Sequence, residues 1–598
     1  MNPNQQRRHP RHALRKGQER MPLILPPTEW DTPDVEATGT IPAQQPPHPP
    51  AMKSVNVAKA SGIMAAGTII SRILGFVRTA LLIALIGSVG ANDAFQVANN
   101  LPNTIYNLLA SSILSAILVP QIVRALHRGN DEEFINRLLT LFTTVLLGLT
   151  VVCSVAAPLW VYIYASQMDS RWLHLAIIFA FWSLPQIFFY GLYSLWGQLL
   201  NAKGSFGPYM WSPVVNNIVA IAGLGVFTWV LGTQKDWAHD PSVWTAWPIT
   251  ILAGTSTLGI IVQALILLIP LYRSGFKLRI VWGVRGHGLR EVSTVAAWAF
   301  ASLVVSQIAF LFVTNIAGAA NGYASKHHEV IATMTAHNTA FQVFMIPQST
   351  IVTSVTTALF TSMSALVATG KIADVHAQFV RTQEGLAVIT SFCGAALVSA
   401  AVPVMQIVMP SSSRAEVEVF ALLLALFGVS TPLFGIWGIA QRLLLAFNDA
   451  KTLCFLQIPM CITQVLFVVI PWLTMPPKYW VPAASLGEGL LYGVGSIGAL
   501  MVLEKRLEAP VTWRVIRVFW QTVLAAVVCG AAGWGVLHLV GPAVPEGVGA
   551  ALTLLGAFWR IVVTGVVMLV VYLAILKVLH NRGLETLTGP VKARLGRS

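Results

Sequence analysis

The sequence is poor in charge and in cysteine, and it lacks the motifs of several enzyme classes. Only 10% of the 598 residues are charged, whereas soluble domains average about 25%. The five cysteines show no Cys-x-x-Cys spacing, which argues against a zinc or redox pair. There is no Gly-x-x-x-x-Gly-Lys-Ser/Thr segment, and residues 87–92 contain no paired carboxylates. ATP hydrolysis and metal-dependent glycosyl transfer are therefore disfavoured.

Hydrophobic residues are abundant instead. They make up 55% of the chain, and the mean hydropathy is +0.68. A stretch of about twenty apolar residues can cross a hydrocarbon core about 30 Å thick as a helix. Fourteen such stretches lie near 57–86, 92–124, 135–165, 172–200, 208–232, 248–272, 290–319, 330–367, 379–409, 417–447, 452–474, 481–504, 515–541 and 559–579. The pattern predicts an all-α polytopic membrane protein with about fourteen transmembrane helices.

The basic residues predict the orientation of these helices. With the N-terminus inside, sixteen Lys and Arg residues fall on cytosolic loops and flanks, against five on the other side. This excess follows the positive-inside rule, so we expect both termini in the cytosol, and the net charge of +14 needs no nucleic acid to explain it. Residues 1–54 are rich in Pro, Gln and Arg without hydrophobic periodicity, which predicts a disordered cytosolic tail. Residues 581–598 form the second predicted cytosolic tail.

An internal repeat predicts two homologous lobes. Ala-Phe-Gln-Val occurs at 94–97 and again at 340–343, and each copy is followed by a proline, at Pro102 and Pro347. Ser-Leu-Pro at 183–185 is echoed by Ser-Thr-Pro at 430–432, with a similar offset. We therefore predict a lobe of helices 1–6 over 55–286, a parallel lobe of helices 7–12 over 287–510, and helices 13–14 over 511–580. Parallel lobes around a central cavity favour a transporter over an enzyme.

Two arginines lie inside the first apolar span. Arg72 and Arg78 interrupt the stretch 58–86, where each costs about 2.5–3.5 kcal/mol on insertion scales. A water-filled cavity that receives an anion would offset this cost, because guanidinium groups bind phosphate through paired hydrogen bonds. The alternatives are an ion pair with Asp93 or Glu384, or side chains that reach toward the membrane surface.

Proline and glycine mark candidate hinges in these spans. Gly75 lies between the two arginines, and Pro102 and Pro347 lie in helices 2 and 8. Each proline removes a backbone donor and loosens a helical turn. We predict that the helices bend at these three positions.

Several further polar residues are candidates for the cavity. Asp93 can cap a helix or pair with Arg78, or it can take part in gating. Asn103 can line the cavity or make an interhelical hydrogen bond. Arg442 can mark a cytosolic helix end, or serve a gate or a coupling ion. His337 can titrate near neutral pH, although a single histidine of this kind is more often structural.

Specific segments resemble a known family. They are Ser-Arg-Ile-Leu-Gly-Phe-Val-Arg at 71–78, Asn-Asp-Ala-Phe at 92–95, Leu-Pro-Asn at 101–103, and the segments 198–206, 213–217 and 441–452. With these residues the chain resembles the MurJ (MviN) lipid II flippases of the multidrug/oligosaccharidyl-lipid/polysaccharide exporter superfamily. The resemblance covers about 57–505 and extends through the last two helices.

The resemblance implies a transporter of the bacterial plasma membrane. Its substrate would be the undecaprenyl-diphosphate-linked precursor lipid II, moved from the inner to the outer leaflet by alternating access. The family's cavity arginines fall on Arg72 and Arg78, and its early acid falls on Asp93. Helices 13–14 would form a groove for the lipid tail. Membrane lipids and cell-wall synthesis proteins are the implied partners; no cofactor is implied, although a coupling ion is possible.

The chain also departs from this family. Many relatives carry an arginine where this chain has Tyr106 and a glutamate where it has Ser111, and a frequently basic position is Gln342 here. We keep Gln342 and Asn103 as candidate substrate-binding residues with the arginines, Asp93 and Arg442. The alternative functions are export of another polyprenyl-diphosphate-linked glycan and cation-coupled drug export. A drug exporter of the latter kind would need carboxylates in the cavity.

Overall fold

The computed structural model describes residues 57–111, 122, 132–233, 235–283, 293–327, 329–541, 543–545, 547 and 549–595. Every regular element in these ranges is helical. The predicted N-terminal tail, 1–54, lies outside the described residues. Within the predicted C-terminal tail, residues Arg582–Leu595 form a helix.

The first half of the chain forms nine α-helices in the described ranges. They are α1 Val57–Ile86, α2 Ala91–Tyr106, α3 Glu132–Val155, α4 Ala157–Ala165, α5 Ser170–Ser183, α6 Gln186–Ala202, α7 Gly207–Leu231, α8 Ala246–Leu265 and α9 Leu268–Arg273. A π-helix, Asn107–Ser111, follows α2, and two 3₁₀-helices, Lys235–Trp237 and Pro241–Val243, lie between α7 and α8.

The remaining described residues form the other helices. They are α10 Ser293–His327, α11 Met334–Pro347, α12 Thr353–Ala368, α13 Ile372–Ser399, α14 Ala401–Val408, α15 Arg414–Ala446, α16 Ala450–Thr474, α17 Trp480–Leu507, α18 Thr512–Val540, α19 Ala550–Val578 and α20 Arg582–Leu595. A π-helix, Gln348–Val352, separates α11 from α12, and a 3₁₀-helix, Pro477–Tyr479, precedes α17.

The helices confirm an all-α polytopic membrane protein. Eleven spans in the described ranges are long and apolar enough to cross a membrane, and α13 with α14 makes a twelfth if this pair, bent by 75°, is one span. The two other predicted spans, near 92–124 and 330–367, contain the interrupted helices α2 and α11–α12. In both places a π-helix follows the predicted hinge proline, Pro102 or Pro347, because proline disturbs the hydrogen bonding of the helix around it.

Helices of the first half share one hydrophobic core. Phe95 of α2 meets Phe179 of α5 edge to face with ring centroids 5.5 Å apart, and Trp172 and Phe227 are fully buried nearby. Helices of the second half form separate cores, in which Phe344 of α11 stacks on Phe427 of α15 at 5.4 Å. Burial of these large rings contributes about 1.5–3 kcal/mol each.

The last helices pack against the second half. The Tyr572 hydroxyl of α19 donates to the Val388 carbonyl of α13 at 2.8 Å, and Cys529 of α18 is buried beside it. Helix α20 then lies against α13 through Gly583, where an added Cβ would stand 2.2 Å from the Glu384 carbonyl oxygen. Only glycine allows this approach of the two backbones.

Helix α1 lies between the two sets of cores. Leu82, Leu85 and Ile86 pack into the first core, whereas Ile83 on the other side of the helix packs with α11 and α15. The helix ends at residue 86 at what we call the first-loop end of the bundle, which also holds residues 166–169, 329–333 and 409–413. The opposite end holds residues 203–206, 369–371 and 447–449.

Candidate functional site

A cavity of about 420 Å³ lies where the two halves meet around α1. Its walls come from α1, α6, α7 and α11, and the lining residues are Thr68, Ser71, Arg72, Gly75, Phe76, Tyr193, Met210, Pro213 and Gln342. The volume is within the range of small-molecule sites, about 300–1,000 Å³. Its α1 residues, from Thr68 to Phe76, lie around the middle of the helix.

Arg72 brings a positive charge to this cavity. Its side chain is exposed and belongs to the lining. Neither Arg72 nor Arg78 belongs to any of the ion pairs found in the described ranges. The guanidinium of Arg72 therefore has no carboxylate neighbour there to neutralise it, and it can bind an anion that enters the cavity.

Arg78 has a different environment from Arg72. Its Nη2 donates to the Ser256 hydroxyl of α8 at 2.9 Å, and that hydroxyl donates to Asn99 Oδ1 of α2 at 2.9 Å. Helix α1 passes through Gly75 without a break, so the two arginines do not converge. In this conformation Arg72 lines the cavity and Arg78 holds α1, α8 and α2 together.

The cavity wall formed by α7 is fixed in place by polar and close contacts. Asn217 Nδ2 donates to the Ser71 carbonyl at 2.8 Å, which ties α7 to α1 one residue before Arg72. The rings of Tyr193 and Tyr209 stack with centroids 4.6 Å apart. These contacts orient both Arg72 and a tyrosine ring toward the same space.

Gln342 closes the cavity from the second half of the chain. Its Oε1 accepts a hydrogen bond from the Thr79 hydroxyl at 3.3 Å, which joins α11 to α1. The same hydroxyl lies 3.0 Å from the Gly75 carbonyl of its own helix. The contact across the halves is therefore long and shared, and it contributes little to holding them together.

At the first-loop end, Asp93 joins the two halves through a buried polar cluster. We call Asp93, Asn321, Thr333 and Thr335 the latch; all four residues are buried. Asp93 accepts from the Asn321 amide, from the Thr333 hydroxyl at 3.0 Å, and from the Thr335 backbone N–H and hydroxyl at 2.7 and 2.6 Å. Hydrogen bonds to a charged group contribute about 1.5–3 kcal/mol each.

The latch also places Asp93 relative to the helices. Thr335 lies in the first turn of α11, so the carboxylate of α2 caps the N-terminus of α11 across the interface. Asp93 does not face the cavity and does not pair with Arg78. Beside the latch, the Ser88 hydroxyl donates to Glu416 of α15. The two halves are thus bonded to each other at the first-loop end.

A second, apolar groove lies between the last two membrane helices. Its volume is about 350 Å³, and its lining consists of Leu524, Val528, Ala574, Ile575, Val578 and Leu579 from α18 and α19 and the residue after α19. All six side chains are hydrocarbon, so the groove suits an alkyl or isoprenoid chain.

Comparisons with known proteins give the family. The sequence model described as Lipid II flippase MurJ matches residues 82–546, which is more than half of the 598 residues. The chain belongs to the lipid II flippase MurJ family. The match includes Asp93, Gln342 and Arg442 but begins after Arg72 and Arg78, so the role of these two arginines depends on the geometry described above.

Individual relatives agree with this family. A probable lipid II flippase MurJ of Synechocystis sp. is 27% identical over 251 residues, which are 41% of this chain and 46% of the relative. The chain spans about half the length of the curated relatives it matches first.

Solved structures agree with the fold. A structure of lipid II flippase MurJ in an inward closed conformation superposes with a TM-score of 0.65 at 16% identity, over 86% of this chain and 98% of that one. An inward-facing multidrug resistance MATE family transporter of the MOP superfamily gives a TM-score of 0.52 at 15% identity, over 77% and 97%. The chain therefore shares the fold of this superfamily of transporters.

The remaining candidate positions lie away from the cavity lining. Asn103 is exposed and accepts from Asn107 Nδ2 at 3.0 Å. Arg442 lies near the end of α15, with its guanidinium carbon 6.0 Å from the Phe360 ring centroid. Tyr106, where the resemblance leads us to expect arginine in many relatives, is buried and stacks on Tyr190 at 6.2 Å.

Sequence reasoning did not identify Thr79, Tyr193, Asn321 or Thr335 as parts of these sites. Each is an ordinary polar residue of an apolar helix, and only the fold reveals its partner. Asn321 gives the strongest signal, because an amide in an apolar helix needs a hydrogen-bond partner.

Proposed function

We propose that this chain moves lipid II, the undecaprenyl-diphosphate-linked peptidoglycan precursor, from the inner to the outer leaflet of the bacterial plasma membrane. The observation that carries the proposal is the exposed guanidinium of Arg72 in the cavity between the halves. A diphosphate offers the charge and the oxygen geometry that a guanidinium binds best. It also offsets the cost of an arginine at membrane depth.

The closed first-loop end supports a mechanism of alternating access. The latch joins the halves at that end, and the cavity lies around the middle of α1, on the side of the latch that faces the opposite end. The distribution of basic residues supports a cytosolic location for the opposite end and for both termini. On this assignment the cavity receives the headgroup from the inner leaflet, and release requires the latch to open as the halves rock.

The groove between α18 and α19 supports a lipid-linked substrate. A volume of about 420 Å³ suits a diphosphate with part of its headgroup and leaves no room for a polyprenyl chain. The tail would lie in the apolar groove or in the surrounding lipid while the headgroup crosses. Proteins of cell-wall synthesis that use the precursor at the outer leaflet are the proposed partners.

A second candidate is export of another polyprenyl-diphosphate-linked glycan. Tyr106 and Gln342 favour it, because many relatives carry cations at these two positions. Fewer cavity cations would suit a different headgroup on the same diphosphate. A chemical assay of the exported lipid distinguishes the two substrates.

The test replaces Arg72 in a bacterium depleted of its own flippase. We expect Arg72→Ala to abolish growth rescue and the appearance of lipid II at the outer leaflet, at unchanged membrane levels of the protein. Loss of a charge-assisted hydrogen bond costs about 2 kcal/mol, or about thirtyfold in binding. Arg72→Lys should retain part of the activity, because it keeps the charge but loses the paired geometry.

The matched control is Arg171→Ala. Arg171 is an exposed arginine beside Asp169 at the first-loop end, with 68% of its side chain accessible. This variant should rescue growth fully. Full rescue by Arg72→Ala would contradict the proposal that an anion binds in this cavity.

A further inference from the structure

A buried histidine and a half-buried glutamate meet within the second half of the chain, away from the cavity described above. His337 Nε2 of α11 lies 3.1 Å from Glu488 Oε2 of α17, and the two side chains are 3% and 20% accessible. On its other side, His337 Nδ1 is 2.9 Å from the Ser485 hydroxyl. Transport as proposed above uses neither side chain, so their burial needs another explanation.

Glu488 borders a further cavity of about 170 Å³, separate from the cavity that contains Arg72 and from the apolar groove. Gln457, Gln464 and Tyr492 also line it, so it is polar enough and large enough to admit water. Apart from the imidazole contact, Glu488 Oε2 has no hydrogen-bond partner in the described part of the chain. The buried Gln464 Oε1 has no hydrogen-bond partner among the described residues either. A carboxylate in this position can exchange a proton with the cavity.

Helix α11 links this pair to two of the contacts between the halves. Thr335 of the latch, His337 of the pair and Gln342 of the interlobe cavity all lie on its first three turns. On the same turns, Asn338 Nδ2 and Thr339 Oγ1 are buried without partners among the described residues. Unsatisfied buried groups are rare in a resting arrangement, so we expect α11 to have a second arrangement in which they are paired.

We propose that His337 and Glu488 form a proton-binding site whose occupancy controls the closing of the latch. The proposal rests on the alternating access proposed above. With one shared proton, the pair is neutral overall and its contact is satisfied. A second proton leaves an imidazolium beside a neutral acid, and loss of the shared proton leaves a carboxylate beside a neutral imidazole, with no cation to balance its charge. Either change weakens the contact that holds α11 against α17. It therefore also weakens the hydrogen bonds that Asp93 accepts from Thr335 at the start of α11.

Other groups surround this pair, and the titratable ones among them could also make the labelling rate depend on pH. Tyr492 of α17 and Cys461 of α16 line the same cavity, Phe427 of α15 packs on the imidazole, and α10 contributes Ser306. Asp93 of α2 belongs to the latch, and Glu416 of α15 lies beside it. The experiment therefore compares variants of the pair in one background that keeps all of these groups.

The experiment measures opening at the first-loop end of the full chain in vesicles of bacterial polar lipid. Ser88→Cys places a thiol at a position that is only 5% accessible, so a membrane-impermeant maleimide labels it when the halves separate. The labelling rate is followed from acid to alkaline pH. Ser411→Cys, at an exposed position of the same end, corrects for ionisation of the thiol, and the chain without either substitution corrects for its own cysteines.

We expect the slowest labelling at an intermediate pH, with a rise on both sides. On each side the labelling rate should rise by about tenfold, because the closed and open states bind the proton with different affinity. Glu488→Gln should lose the alkaline rise, because no carboxylate remains to carry an unbalanced charge. His337→Gln should lose the acid rise, because no imidazolium can form. Glu418→Gln, an exposed acid paired with Arg414, should keep both.

Three outcomes would overturn the proton site. They are a flat profile in the parent, identical profiles in the parent and in both pair variants, and a rate that follows sodium at constant pH. Transport of an undecaprenyl-diphosphate probe is measured on the same vesicles. Normal pH profiles without transport of the probe would contradict the proposed substrate and leave the proton site standing.

Discussion

The two ends of the interface between the halves differ in how they are bonded. At the first-loop end, a buried carboxylate accepts four hydrogen bonds from the other half, and Ser88 bonds Glu416 beside it. Nearer the middle of α1, the hydrogen bond between α1 and α11 is a shared one of 3.3 Å from Thr79 to Gln342. Below that contact the interface opens into the cavity that contains Arg72.

Because of this difference, the bonds at the first-loop end are the ones that hold the two halves in this conformation. The latch contributes charged hydrogen bonds in a buried site, where each is strong and where losing one partner is costly. The bond between Thr79 and Gln342 can break at little cost. A rocking motion would therefore have to break the bonds at the first-loop end, and the cavity can admit a ligand without disturbing them.

The largest expected effect comes from Asp93→Ala. This change leaves the Asn321 amide and the Thr335 N–H buried without an acceptor, at a cost of about 3 kcal/mol or about a hundredfold in the closing equilibrium. We expect labelling of Ser88→Cys to rise by that factor and transport to fail, because the closed state is no longer populated.

Asp169→Ala is the matched control for the latch. Asp169 caps its own helix α5 by accepting from the Arg171 N–H at 3.0 Å, so its loss costs about 1 kcal/mol of stability but no contact between the halves. Labelling of Ser88→Cys should stay at the parent rate in this control. Equal labelling in the parent and in Asp93→Ala would mean that the latch does not hold the two halves closed.

The sequence was sufficient to predict the spans and, in the cavity, Arg72; Gln342, which also lines the cavity, followed from the family resemblance. Apolar length and 3.6-residue geometry determine a membrane helix locally, so the all-α polytopic fold followed from composition. Arg72 could be singled out because a charge at membrane depth needs a local reason. Both arguments use only residues that are close together in the chain.

The partner of Asp93 could not be predicted in the same way. Position 93 predicted a cap for its own helix or a pair with Arg78, and both are local alternatives. The carboxylate instead caps α11, some 242 residues away, which depends on how the halves pack. His337 was considered alone for the same reason, since Glu488 lies on a different helix.

A smaller effect is expected from Thr79→Val, which removes the hydroxyl but keeps the shape. The change deletes the hydrogen bond to Gln342 and should weaken closure by about 0.5–1 kcal/mol, or two- to fivefold in the labelling of Ser88→Cys. Thr144→Val is the control, because the Thr144 hydroxyl donates within its own helix, to the Thr140 carbonyl at 2.8 Å. If Thr79→Val raised the labelling rate as much as Asp93→Ala, the contact between Thr79 and Gln342 would hold the halves as strongly as the latch, contrary to this comparison.

The smallest effect concerns a polar cluster at the opposite end that lies within one half. Asp449 caps α16 by accepting from the Thr452 N–H at 3.0 Å and hydroxyl at 2.7 Å, and Arg506 of α17 donates to it. Burial acts to raise the pKa of Asp449, but the bonds from Thr452 and Arg506 outweigh it and hold the pKa below its ordinary value. The stabilisation by its charge is therefore complete above the ordinary pKa of aspartate and is lost as the pH falls through the lower pKa of the folded chain.

Asp449→Asn tests whether this cluster is independent of the latch. Asparagine keeps the cap and removes the charge, so we expect a loss of about 0.5 kcal/mol at neutral pH, seen as a slightly lower Tm in detergent. The difference from the parent should vanish in acid, where Asp449 is protonated in both the folded and unfolded chain. Labelling of Ser88→Cys should not change, because the bonds of Asp449 all lie within the second half; a faster rate would show that the opposite end also controls closure.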